Sequence, residues 1–161
     1  MPRELQHEIR RGRPFESAEE EAYLSLLRTA GALAQRVGRH LREAGLSEPQ
    51  YNVLRILAGA GAAGLPCQEI GERLVTAVPD VTRLVDRLAE AGLVERRRSD
   101  EDRRVVRVVA TAEGKRLARA LAPGLLGIHR EQLGALPKRD LAALIRLLAA
   151  ARESADGTPT R

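Results

Sequence analysis

Residues 81–111 read VTRLVDRLAEAGLVERRRSDEDRRVVRVVAT, and this stretch decides the predicted fold. In its first part, apolar residues recur at the spacing of one helix face, at Val81, Leu84, Val85 and Leu88. Gly92 follows, at a position where a helix end favours a residue that tolerates positive φ. Residues 93–98 and 105–111 then favour two β-strands, and the polar residues between them favour a turn. The stretch therefore predicts a helix followed by a charged β-hairpin.

The opposite face of this helix carries Thr82, Arg83, Asp86 and Arg87, which we expect to point outward. A helix that presents arginine and threonine, followed by a hairpin tipped with arginines, is what a winged helix needs to hold a DNA duplex. The helix enters the major groove and the hairpin reaches the minor groove. Taken singly, a charged helix face or a polar hairpin tip is more often solvated surface. The order of the two elements along the chain favours DNA binding.

The composition agrees with a single-domain protein that has a polyanionic partner. The chain has 161 residues and a net charge of +5, and arginine supplies almost all of its basic charge. Arginine binds phosphate and guanine edges better than lysine does, although a basic chain also suits an anionic membrane surface. No apolar run approaches the ~18 residues of a membrane span, and the N-terminus has no hydrophobic segment. We expect a cytoplasmic protein with no membrane partner.

Residues 1–17 are polar and are predicted to form an extended arm. Ser17 precedes three acidic residues and is expected to begin a helix that runs to about residue 44 and is closed by Gly45. The segment Ser47-Glu48-Pro49-Gln50 has the pattern of a capping box and opens a second helix. Leu65 and Pro66 are expected to add a short third strand to the hairpin. A brief helix follows over residues 67–74.

The helix that carries Val81 to Leu88 is expected to take its cap from Thr76 or Val78, with Pro79 in its first turn. After the hairpin, Thr111 is expected to cap a leucine-rich helix that Pro123 kinks or breaks. A last leucine-rich helix follows Pro137. The leucines lie on more than one side of these terminal helices. They indicate either an interface between subunits or a cap over one subunit's core, and the pattern alone leaves both open.

Enzymatic and metal-binding signals are weak in this sequence. Cys67 is the single cysteine, and His7, His40 and His129 are isolated from one another. The chain has no clustered metal-binding motif and no phosphate-binding glycine loop. Gly59, Gly61 and Gly64 form a loose GxGxxG match. This match lacks the preceding strand that a phosphate-binding site of this kind needs. We predict no enzyme activity, no metal and no cofactor.

The segments TRLVDRLAEAGLVERR and DEDRRVVRVVATAEG resemble the recognition helix and wing of the multiple antibiotic resistance regulator (MarR) family. The resemblance extends over roughly residues 19–152. It implies a mainly α fold with a small β-wing, in which residues 47–111 form a winged helix-turn-helix. Residues 18–46 and 112–154 would be dimerisation helices, because in that family the terminal helices of two subunits intertwine. A two-fold homodimer places its recognition helices about one DNA turn apart (~34 Å), on a near-palindromic operator.

The resemblance also directs the assignment of DNA contacts. Thr82 and Arg83 are expected on base edges, because arginine to guanine is the commonest specific contact. Arg103 and Arg104 match the wing arginines of the family, so one of them is expected in the minor groove. Asp86 would repel phosphate and is expected instead to orient an arginine, with Arg104 as the candidate. The full predicted DNA-binding set is Thr82, Arg83, Arg87, Arg97, Arg103 and Arg104.

Relatives in this family often bind small aromatic acids or lipophilic compounds between the dimer helices and the DNA-binding domain. The resemblance therefore implies a transcriptional repressor that a small effector releases from DNA. The predicted effector-binding residues are Tyr23, Arg28, His40, Tyr51 and Arg55. Two alternatives remain open: a cysteine-based redox sensor and a winged helix that binds protein. The redox-sensing branch keeps its reactive cysteine near the start of the chain, whereas Cys67 lies inside the DNA-binding motif.

Overall fold

The computed structural model describes residues 5–98, 104–155 and 157. Its fold is mainly α-helical with a small antiparallel sheet, as predicted. In chain order the elements are α1 (Leu5–Glu8), α2 (Ala18–Glu43), α3 (Glu48–Ala60), α4 (Cys67–Glu72), α5 (Val81–Glu90), β1 (Val94–Arg98), β2 (Val106–Ala110), α6 (Ala112–Leu133) and α7 (Lys138–Ala155). The predicted helices and the two strands of the predicted hairpin are therefore present, with ends that differ by one or two residues.

The chain forms two compact units, Met1–Ala122 and Pro123–Arg161. In the first unit α3 is central, because it packs against α2, α4, α5 and β2. The side chains that are completely buried come mostly from these elements: Leu41, Val53, Leu54, Leu57, Ile70, Val85, Leu88 and Val108. This shared core fixes the position of α5 relative to the two strands.

Side-chain caps mark the beginnings of α2, α3, α5 and α6. Ser17 accepts a hydrogen bond from the backbone N–H of Glu20, and Ser47 and Gln50 form the predicted capping box. The Thr111 hydroxyl caps α6 by accepting from the Gly114 N–H at 3.0 Å. The predicted cap of α5 is wrong. Asp80 lies directly before this helix, and its carboxylate accepts a hydrogen bond from the Arg83 N–H at 2.8 Å. Thr76 lies too far upstream to make this bond, and Val78 has no side-chain atom that could accept it.

Two further expectations are corrected by the structure. The predicted extended arm contains the helical turn α1 and buries Leu5. Arg11 donates to the Glu20 carboxylate of α2 through Nη1 at 2.7 Å and Nη2 at 3.3 Å. The break expected at Pro123 does not occur, because α6 continues to Leu133, and the kink stays a prediction. Proline has no N–H, so the Arg119 carbonyl receives no helical hydrogen bond from residue 123. Arg119 is exposed, so water can donate to this carbonyl instead.

The wing consists of β1 and β2, paired from Val94 with Ala110 to Arg98 with Val106. The third strand predicted at Leu65 and Pro66 does not form. Leu65 alone makes one isolated antiparallel bridge, to Val108. Gly64 precedes this bridge with φ +61, and a Cβ there would lie 2.4 Å from the Val108 carbonyl oxygen. The close approach of this loop to β2 therefore requires glycine.

Candidate nucleic-acid interface

Helix α5 has one buried and one exposed face. Val85 and Leu88 are completely buried, whereas Thr82, Arg83 and Arg87 are exposed, as the sequence predicted. Within the described part of the chain, neither the Arg83 nor the Arg87 guanidinium has a partner in an ion pair. The exposed face of α5 therefore presents a hydroxyl and two positive charges, which suit hydrogen-bond acceptors and phosphates.

Asp86 lies on the same helix and binds an arginine of the wing. The Arg96 Nη2 atom donates to Asp86 Oδ1 at 2.6 Å, and Arg96 Nη1 lies 3.7 Å from the sulfur of Cys67. The hydrogen bond to Asp86 raises the pKa of the Arg96 guanidinium. Arg96 thereby connects α4, α5 and β1.

The expected role of Asp86 is present, but the expected partner, Arg104, is wrong. Strand β1 packs directly against α5 and carries Arg96 to the carboxylate. Arg104 lies beyond the strand, at the end of the turn that precedes β2. The packing of β1 on α5 therefore determines that Arg96 binds Asp86.

The remaining wing arginines differ in their surroundings. Arg97 forms an ion pair with Glu95 of the same strand, and Arg107 donates to the Gly64 carbonyl oxygen at 3.2 Å. Arg104 is exposed, and Arg103 lies outside the described residues. Arg107 therefore fixes the loop that precedes α4.

Sequence reasoning missed Asp80 and Arg96. Asp80 was available from a local signal, because aspartate directly before a helical repeat is a preferred N-cap. Its carboxylate now stands at the first turn of α5, beside the face that carries Arg83. Arg96 carried no comparable signal, since its contact with Asp86 joins residues on different elements.

The five predicted effector-binding residues lie on α2 and α3, which pack against each other. Tyr23 is exposed, and the His40 Nε2 atom is buried without a hydrogen-bond partner among the residues that the structure describes. Burial raises the pKa of the Tyr51 hydroxyl, an effect that the charge of Arg55 opposes. Arg55 itself donates to Asn52 Oδ1 at 3.2 Å.

Arg28, the remaining member of this set, lines a cavity of about 520 Å³ beside the arm. Its Nε atom lies 3.9 Å from an oxygen of Glu8. The other four predicted residues are not part of this lining.

The described ranges contain neither a membrane-spanning helix nor a metal-binding cluster. No helix there is sufficiently long and apolar to cross a membrane. The same residues contain no group of three or more histidine, cysteine or acidic side chains placed to hold a metal ion.

The short helix α4, the helix α5 with its exposed basic face and the β1–β2 hairpin define a winged helix-turn-helix protein. Residues 46–106 match the model of the MarR family. A MarR transcription factor from Planctomyces limnophilus has 39% sequence identity and a TM-score of 0.64, over 85% of this chain and 99% of that protein. The chain belongs to the MarR family.

Curated relatives match a smaller part of the chain. The Bacillus subtilis regulator YfiV is 38% identical over 76 residues, and the B. subtilis repressor YetL is 31% identical over 104 residues. These matches cover 47% and 65% of this chain. The chain spans 46% of the length of YfiV and 62% of the length of YetL.

Two similar solved structures hold small molecules. CouR from Rhodococcus jostii RHA1, bound to p-coumaroyl-CoA, has 25% identity and a TM-score of 0.71, over 91% of this chain and 99% of CouR. NadR, bound to 4-hydroxyphenylacetate, has 26% identity and a TM-score of 0.67, over 86% of this chain and 97% of NadR.

Proposed function

We propose that this protein is a transcriptional regulator that binds double-stranded DNA in a sequence-specific manner. The observation that carries the proposal is the exposed face of α5, where Thr82, Arg83 and Arg87 stand opposite the completely buried Val85 and Leu88. Arg83 and Thr82 read base edges, and Arg87 contacts the backbone. Arg97, Arg103 and Arg104 bind phosphate or enter the minor groove from the wing.

We further propose that the protein acts as a homodimer on a near-palindromic operator. Several large apolar side chains of the terminal helices are exposed, namely Tyr23, Leu26 and Leu27 of α2, Leu126 of α6, and Ile145 and Leu147 of α7. Exposed apolar surface of this extent favours an interface with a second protein chain. A second copy would supply that chain and a second α5.

In this proposal the regulator is a repressor that a small effector releases from DNA. The name of YetL as a repressor and the ligands of CouR and NadR support this part of the proposal. The buried, unpartnered Nε2 of His40 supports a polar contact near the α2–α3 packing, because buried polar atoms normally have a partner. The effector contacts are proposed at Tyr23, Arg28, His40, Tyr51 and Arg55.

A gel-shift titration on the DNA upstream of the gene tests DNA binding. Because arginines of two helices and two wings neutralise phosphates, affinity is expected to fall at least about tenfold over a fourfold rise in salt. Arg83→Ala is expected to relax the preference at one position of each half-site, at about 1–3 kcal/mol. Arg139→Ala, an exposed arginine of α7, is the control and should bind as the unchanged protein does.

Two results would contradict the proposal in different ways. Failure to bind any near-palindrome in that region, or binding that ignores salt, would favour a winged helix that binds protein. Equal weakening of all sequences by Arg83→Ala would show that Arg83 contacts phosphate and not a base.

A further inference from the structure

The carboxylate of Asp80 lies at the N-terminal end of the exposed face of α5. Asp80 is exposed, and its Oδ1 atom accepts a hydrogen bond from the backbone N–H of Arg83 at 2.8 Å. This bond holds the carboxylate at the first turn of the helix, where Thr82 and Arg83 are also exposed. The second carboxylate oxygen has neither a hydrogen bond nor an ion pair with any residue in the described ranges. One oxygen of Asp80 can therefore accept a hydrogen bond from another molecule.

Capping accounts for the position of Asp80 but only weakly for its charge. Serine and aspartate cap helices about equally well, and Ser17 and Ser47 cap α2 and α3. The helix dipole favours an acid at this end, but the effect is small at an exposed position. Asp86, the next acid of the same helix, has its charge balanced by Arg96, which donates to it at 2.6 Å. Asp80 has no such arginine within the described part of the chain.

A carboxylate on a DNA-binding face is unfavourable unless it meets a hydrogen-bond donor. Phosphates lie about 1.7 Å apart along the axis of a duplex and repel it. The N-terminal residues of a recognition helix contact base edges in the major groove, where donors are present. A contact between the Asp80 carboxylate and a donor on a base edge would therefore offset the repulsion by phosphates.

One base matches a carboxylate better than the other three. Cytosine presents its N4 amino group in the major groove, whereas guanine presents two acceptors and thymine presents an acceptor and a methyl group. Adenine has an amino group, but its N7 acceptor lies beside it. Because a carboxylate only accepts hydrogen bonds, the partner that fits Asp80 is cytosine.

We propose that Asp80 is a specificity-determining residue that selects cytosine in each half-site of the operator. Its second oxygen accepts a hydrogen bond from the cytosine N4 amino group, while Oδ1 keeps its bond to the Arg83 N–H. The inference rests on the proposed DNA binding and adds an acid to a predicted contact set of arginines and one threonine. Base pairs stack ~3.4 Å apart, and the carboxylate contacts the Arg83 backbone. The selected cytosine therefore lies within about two base pairs of the base that Arg83 contacts.

Selection from duplexes with randomised half-sites, followed by gel shifts with the full chain, tests this role. The unchanged protein is expected to bind an operator with this cytosine at least about fivefold more tightly than one with thymine in its place. Asp80→Asn is expected to reverse the preference, because the cap uses its amide oxygen and leaves an NH₂ donor for thymine O4. Asp80→Ser also caps α5 but has no carboxylate, so it should bind both operators equally.

Two controls separate base selection from charge and from folding. Glu90→Gln removes an equal charge from the other end of α5, where Glu90 is exposed. It should change the affinity for both operators by the same factor and leave the preference for cytosine intact. Asp80→Asn should unfold at the same urea concentration as the unchanged protein, because asparagine caps as well as aspartate does.

Four outcomes would overturn the inference. An equal gain in affinity for both operators in Asp80→Asn would show that Asp80 only repels phosphates, and an equal loss would show that it only caps α5. Selected sequences without a constant cytosine near the position that Arg83→Ala relaxes would also exclude base selection by Asp80. These three outcomes would leave the proposed DNA binding intact. The fourth, failure of the unchanged protein to enrich any sequence, would overturn both proposals.

Discussion

The winged helix-turn-helix and the terminal helices have the same helical spacing of apolar residues, but these residues are buried in the first region and largely exposed in the second. In the first region the stripes are covered by the chain itself, and Leu54, Leu57 and Leu88 are completely buried. In the terminal helices, Leu27 of α2 is 54% exposed and Leu147 of α7 is 60% exposed. None of the described residues of α7 is buried.

This difference shows that the spacing of apolar residues and the burial of those residues are two separate properties. Periodicity determines which side chains share one face of a helix. It does not determine what covers that face. The first unit's own core covers the apolar face of α5, whereas in our proposal a second copy covers α7 and the part of α2 that carries Tyr23, Leu26 and Leu27. The comparison therefore predicts that changes at completely buried residues alter the stability of each chain, whereas changes at the exposed apolar residues of the terminal helices alter association.

The largest expected effect comes from Ile145→Glu combined with Leu147→Glu. Both side chains are exposed in α7, and charges there would be buried in the dimer. We expect the dissociation constant of the dimer to rise at least about a hundredfold, or ~2.7 kcal/mol. Sedimentation across a range of concentrations measures this change.

The control for this experiment is Arg146→Glu, which places an acid at an exposed polar position of the same helix. It should remain dimeric. Leu144 and Leu148 are less suitable targets, since both are half-buried within a single chain. A native monomer, or a double variant that still dimerises with unfolding independent of concentration, would remove the proposed distinction between the regions.

Two glycines provide a smaller and more local comparison. A Cβ at Gly114 of α6 would lie 2.0 Å from the Leu93 carbonyl oxygen, whereas a Cβ at Gly31 of α2 would meet nothing within 4 Å. Gly114→Ala is expected to destabilise the fold by about 1–3 kcal/mol through overpacking. Gly31→Ala is expected to stabilise it by about 0.5–1 kcal/mol, because glycine weakens a helix interior. Urea unfolding at one fixed concentration measures both.

The stability of Gly31→Ala also tests whether a second chain covers this part of α2. A loss of stability in Gly31→Ala that grows with protein concentration would show that a partner chain packs closely against this part of α2. A loss that is independent of concentration would contradict the open surroundings of Gly31. An unchanged stability of Gly114→Ala would show that α6 and the residue Leu93, which precedes β1, can separate at little cost.

Short-range patterns predicted most of the fold, and long-range contacts account for what they missed. The α5 helix, Gly92 and the two strands follow from spacing and turn chemistry within about thirty residues. The partner of Asp86 did not follow, because Arg96 and Arg104 are both plausible in sequence and only the packing of β1 on α5 chooses between them. The folded arm depends likewise on the contact of Arg11 with Glu20. The DNA-contact and effector-binding assignments stay predictions, since they depend on molecules outside this chain.

The smallest expected effect concerns the contact between Asp86 and Arg96. These side chains are partly exposed, so a double-mutant cycle with Asp86→Asn and Arg96→Gln should give a coupling of only about 0.2–1 kcal/mol in urea unfolding. The same coupling should recur in operator affinity, because the contact joins the recognition helix to the wing. The pair of Glu113 with Arg116 in α6 is a matched control. Its cycle should show no coupling in operator affinity, since both residues lie outside α5 and the wing. Coupling in stability without coupling in DNA binding would show that Asp86 and Arg96 stabilise the first unit without orienting α5 and the wing for DNA.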